Sequence, residues 1–172
     1  MLAALRRVPW WLALGALVLL STVLRTWASR AVPTPWIAPD EMIYGLLGRG
    51  LYVDGRLAIL GGPSPYYSAV VPVLVGAPLA LDDMALGHSL LKALQALVMS
   101  LAAVPVFLWG RSLTAARWAF AAAGLTLALP GLAYSGLVMT EVAFYPVFVL
   151  AAWANTGSVS YTHLTLPTNR EV

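Results

Sequence analysis

The chain has no cysteine, a single lysine and little charge of either sign. Without cysteine there is no disulfide framework, no thiolate metal site and no thiol nucleophile. Charged residues make up 10% of the sequence, against roughly a quarter in ordinary soluble domains. Hydrophobic residues make up 60% and mean hydropathy is +0.82, a balance that excludes a water-soluble globular domain. The formal charge of +3 and the pI near 9.5 come from scattered arginines rather than a basic patch, so no nucleic-acid partner is expected. There is no nucleotide-binding glycine loop, no zinc-ligand spacing, no serine nucleophile elbow and no internal repeat.

Long apolar runs take the place of these features. Four of them, at about residues 8–27, 88–109, 115–132 and 142–155, approach or reach the roughly 20 residues a helix needs to cross a bilayer. The expected fold class is all-α, a polytopic membrane helical bundle whose first partner is the lipid bilayer. Arg6 and Arg7 before the first run, with Arg111 and Arg117 in the turn between the second and third, predict a cytoplasmic N-terminus. Residues 28–87 then form an outer loop. Within it two juxtamembrane helices are expected, about 41–52 and 66–81. The first has apolar residues Met42, Ile43, Leu46, Leu47 and Leu51 to lie on the membrane surface. The second is short and interrupted by Pro72, Gly76 and Pro78, and the arginine pattern requires that it not cross. Aromatics agree, since this topology places Trp10, Trp11, Trp109, Trp118 and Trp153 at the inner face and Trp27, Trp36, Tyr66, Tyr67, Tyr134 and Tyr145 at the outer one.

Apolar character stops near Asn155. The string from Val159 to Thr168 resembles one reading frame of the transposase adapter used in sequencing libraries, so residues 158–172 are expected to be a non-native read-through tail on a truncated chain that is itself expected to be inactive, unlike its full-length parent. His163 is given no chemical role.

Ionisable groups near a bilayer are costly, so each asks for a reason. Asp40 and Glu41 follow Pro39 at the start of the expected surface helix; an N-cap and a favourable first-turn charge are the structural explanation, a carboxylate site the functional one. Glu141 opens the last run and returns to the same side as Asp40. Lys92 and Arg25 each sit about one turn inside the outer end of a span, where snorkelling competes with anion binding. His88 opens the second span as an interfacial cap or a substrate contact. Asp82 and Asp83 read as a solvated turn.

One span, then Pro39-Asp40-Glu41, Tyr44, a glycine-rich stretch, Pro65-Tyr66-Tyr67, a span carrying Lys92, and Met139-Thr140-Glu141, resembles the N-terminal third of a GT-C-fold glycosyltransferase. Within that fold it is most similar to the protein O-mannosyltransferase and aminoarabinose-transferase-like group, glycosyltransferase family 39. The resemblance covers Val8 to Asn155, and the acidic pair is its most specific element. It implies a multi-pass protein of a bacterial plasma membrane that takes a sugar from a polyprenyl-phosphate donor and places it on a glycan, lipid or protein acceptor at the non-cytoplasmic side. It further implies Asp40 as general base, with Glu41 and Glu141 completing the catalytic acids. Lys92, Arg25, His88 and Tyr66 then contact substrate, and Glu41 with Glu141 can hold a divalent cation, Mg²⁺ or Mn²⁺. Two other readings stand beside it: a secondary transporter or flippase for lipid-linked intermediates, and a non-catalytic membrane subunit.

Overall fold

The computed structural model describes residues 9–31, 39–64, 68–129 and 136–164. Helix dominates, as expected of a chain built on Ala and Leu. Helix α1 (Trp10–Ala28) closes in a 3₁₀ turn at Ser29–Ala31, and α2 (Pro39–Asp54) leads into a minimal hairpin, β1 (Ala58–Ile59) antiparallel to β2 (Gly62–Pro63). Then come α3 (Val70–Leu79), α4 (Met84–Ser100), α5 (Ala103–Leu113), α6 (Ala116–Ala128) and α7 (Glu141–Leu164). Among the described residues two stretches are long and apolar enough to cross a membrane, Trp10–Ala31 and Met84–Leu113.

Stripes at four-residue spacing build the main core. Met99, Ala103 and Phe107 continue one face through α4 and α5, Ala119, Ala123 and Leu127 line α6, and Leu14 and Val18 come from α1. Val142 of α7 closes this cluster. A second core lies at one end of the bundle, where Tyr44 of α2 and Val71, Val75 and Leu79 of α3 pack on Leu91 of α4 and on Val138. Burying each of the larger of these side chains contributes about 1.5–3 kcal/mol. At the far end Trp10 packs against Phe107 and Phe120, ring centroids 6.5 and 5.8 Å apart. That contact joins the N-terminus of α1 to α5 and α6.

Helices α1 and α4 run antiparallel. Stepping from Ser29 down to Ser21 on the first takes the second from Lys92 to Ser100, and both levels are joined by hydrogen bonds, Lys92 Nζ to Ser29 O at 3.1 Å and Ser100 Oγ to Ser21 Oγ at 2.8 Å.

The helices differ from the expected spans in detail. The second apolar run lies, as expected, within one stretch, Met84–Leu113, but its α-helical hydrogen bonding is interrupted at Leu101–Ala102, because Pro105 has no N–H to give Leu101 O and Val104 takes that carbonyl at 3.0 Å in a tighter turn. The third run is shorter than expected: α6 stops at Ala128, only ~20 Å long by helical rise, since Leu129 precedes Pro130 and is held extended at φ −63°, ψ 131°. At the C-terminal end α7 continues past residue 155 to Leu164, so the change in composition near Ser158 is no break in the backbone. Lastly, α2 is rotated so that Leu47, one of the apolar residues expected on the membrane surface, turns into the protein, while Met42 stays outward at 64% exposed; the inward face is Glu41, Tyr44, Leu47 and Gly48.

Glycine explains that rotation. A Cβ on Gly48 would stand 2.9 Å from Gly76 Cα and from Pro72 O, so α2 and α3 approach backbone to backbone through the Gly48–Gly76 pair. Arg49 fixes the contact by donating from Nη1 to Leu79 O at 2.6 Å, capping the C-terminal end of α3.

Candidate functional site

Asp40 and Glu41 occupy the first turn of α2 but face different surroundings. Pro39 opens the helix, so Asp40 lies inside it rather than at the N-cap, and it is exposed. Glu41 is 4% exposed; its Oε1 accepts from the Val138 N–H at 3.0 Å. This bond ties the start of α2 to the segment that leads into α7, across 97 residues of sequence. Asp40, Glu41 and Glu141 are thereby brought to one end of the bundle. Glu141, the first residue of α7, is exposed, and its Oε2 accepts from Thr140 Oγ1 at 3.3 Å.

Lys92 enters this end from α4. It does not snorkel: the side chain is 6% exposed, the ammonium donates to Ser29 O at the close of α1, and Glu41 lies within electrostatic range of it. A cation inside the protein next to a buried carboxylate offsets part of what either charge would cost alone. His88, one turn earlier on α4, is half-buried and feels the Lys92 charge. Its Nε2 has no hydrogen-bond partner among the described residues, nor have Glu41 Oε2 and Gln95 Oε1.

Arg25 turns inward as well. Its Nη2 donates to Leu127 O at 2.7 Å and its Nε to Ser21 Oγ at 3.1 Å, which satisfies a terminal carbonyl of α6. Beside it, between α1 and α6, runs an open cleft of about 400 Å³ lined by Leu17, Leu20, Leu24 and Gly124, mostly apolar apart from Arg25 and Ser21. Asp82 and Asp83 lie in an exposed turn, as expected, and Asp83 is also the N-cap of α4, its Oδ1 accepting from Ala85 and Leu86 N–H at 3.0 Å each. Tyr66 lies outside the described residues.

Gln95 is the polar residue that sequence reasoning missed. It is 1% exposed and its Nε2 donates to Leu137 O. The available signal was spacing, since His88, Lys92 and Gln95 recur at the interval that puts three side chains on one helical face.

The expected cation site does not assemble. Among the described residues no group of three or more His, Cys, Asp and Glu comes together. Glu41 is buried with one oxygen committed to a backbone N–H, and Glu141 is exposed on another helix. As placed, these two carboxylates do not fit a shared divalent metal.

No family model matches the chain, and neither a curated protein nor a solved structure matches it.

Proposed function

We propose that this chain belongs to a multi-pass membrane glycosyltransferase that transfers a sugar from a polyprenyl-phosphate donor to an acceptor hydroxyl on the non-cytoplasmic side. The observation that carries the reading is the exposed Asp40 beside the anchored Glu41, with Glu141 at the same end of the bundle. An exposed carboxylate on a helix whose next residue is locked in place is a base of fixed position. Asp40 takes the proton from the acceptor hydroxyl, the oxygen attacks the anomeric carbon, and the carbon–oxygen bond to phosphate breaks. Phosphate leaves as a stable anion and needs no acid. Such a single displacement inverts the anomeric centre.

Membrane placement is supported by the outward surfaces of the helices. Trp11, Leu19, Val23, Leu24 and Trp27 on α1 and Phe144, Val147 and Phe148 on α7 are each more than half exposed. Such continuous apolar surface is not stable against water and suits lipid. The cleft beside Arg25 offers an apolar wall for an isoprenoid chain.

Replacing Asp40 by Asn keeps size and removes the base. In the full-length parent, sugar transfer from polyprenyl-phosphate donors should fall by at least a hundredfold while membrane expression is unchanged. Undiminished turnover would end the assignment.

The alternative, a flippase for lipid-linked intermediates, draws support from a polar seam along α1 and α4, with Ser100, Lys92 and Gln95 buried and Ser21 half-buried. It predicts lipid translocation that survives Asp40→Asn.

A further inference from the structure

The peptide unit joining Leu137 to Val138 is gripped on both edges. Its N–H donates to Glu41 Oε1 at 3.0 Å, and its C=O accepts from Gln95 Nε2. In a trans peptide those two groups point in opposite directions, so α2 and α4 hold one rigid plane from either side. Both gripping side chains are buried, Glu41 at 4% and Gln95 at 1% exposed, and Val138 itself is 5% exposed in the core formed with Tyr44 and Leu91. Buried hydrogen bonds of this kind are costly to break, because the backbone groups they release have no water to turn to.

The position of this grip matters. Glu41 is the neighbour of Asp40, and Val138 stands three residues before Glu141, so the grip is the shortest route between the two exposed carboxylates. We propose that Glu41 and Gln95 form a two-sided clamp on the Leu137–Val138 peptide that sets the spacing of Asp40 and Glu141. The inference rests on the reading above that these carboxylates flank the transfer site. Glu41 is then a positioning residue. What the clamp uses is an acceptor oxygen at the right place, and a neutral amide supplies one too. Gln95 has the matching part as donor, which a hydrocarbon of equal size lacks.

The absence of cysteine makes the clamp measurable, since two introduced cysteines carry spin labels with no background. Met42 and Val147, 64% and 61% exposed, flank the clamp on α2 and α7. In lipid nanodiscs the Met42→Cys/Val147→Cys pair should give one narrow distance distribution. Glu41→Ala and Gln95→Leu should each broaden it, whereas Glu41→Gln should leave it narrow. The isosteric Gln95→Met serves where Gln95→Leu misfolds, and Glu41→Asp, one methylene short, should broaden the distribution less than Glu41→Ala.

Sugar transfer supplies the second readout. Glu41→Ala should lower kcat on the order of a hundredfold with KM within about twofold, and Glu41→Gln should recover most of it. Distributions in Glu41→Ala and Gln95→Leu as narrow as in the parent overturn the clamp. So does a Glu41→Gln protein that stays narrow yet is as inactive as Glu41→Ala, for then the charge acts in the chemistry. Absence of transfer in the unsubstituted full-length parent, with broadening in both clamp variants, rejects the enzyme reading and leaves the clamp standing.

Discussion

Adjacent residues on a helix point about 100° apart, and at the start of α2 that angle separates an exposed carboxylate from a buried one. Asp40 meets solvent; Glu41 meets Val138 N–H and the field of Lys92. Lys92 and Glu41 are both buried, so removing one partner leaves the other uncompensated. A double-mutant cycle measures this. Glu41→Gln and Lys92→Met should each lower the unfolding midpoint followed by circular dichroism in detergent, and the double variant should be more stable than their sum by about 1–3 kcal/mol. Strict additivity would show that the two charges do not sense each other. The acidic pair is plain in the sequence because carboxylates are rare in this chain. Which of the two faces inward is not, since that depends on how α2 is rotated. Gln95 escaped notice for a related reason: an uncharged amide raises no alarm in an apolar run, and its partner, Leu137 O, lies 42 residues away.

Rotation of α2 is an element-scale matter, decided by the Gly48–Gly76 contact rather than by the apolar stripe of Met42, Ile43 and Leu46. A methyl group at Gly48 would meet backbone atoms, which cannot swing aside as a side-chain end would. Gly48→Ala should therefore separate α2 from α3 and cost roughly 1–3 kcal/mol, even though alanine is the better helix former. Gly15→Ala is the control, because a Cβ there meets nothing within 4 Å. It should be neutral or slightly stabilising in the same melt. Helix positions were legible from apolar runs and from prolines, and α2 and α3 lie close to the expected 41–52 and 66–81. Contacts between glycines far apart in sequence carry no local pattern. The break at Leu101 did have a local signal, Pro105, which the unbroken hydropathy of the run concealed.

At the scale of the whole molecule, polar and apolar surfaces are divided in an unusual way. Charge and hydrogen bonding gather inside one end, around Glu41, Lys92 and Gln95, while the helix flanks display Trp11, Leu19, Val147 and Phe148 outward. The collection of the acids at one end was legible, because arginine placement and span alternation fix which loops share a side. The cleft between α1 and α6 was not, since it depends on the width left by Gly124. That glycine gives the means to test what the cleft holds. A Cβ at Gly124 has no neighbour within 4 Å, so the first carbon of a side chain there displaces nothing, the rest extends into the open cleft, and loss of the glycine should help the helix by about 0.5–1 kcal/mol. Gly124→Leu should thus melt no lower than the parent. If an isoprenoid chain lies along this wall, the same substitution should raise KM for a long-chain polyprenyl-phosphate sugar by about tenfold or more and leave KM for a short-chain analogue nearly unchanged. Equal effects on the two donors, or none on either, would place the lipid chain elsewhere on the bundle.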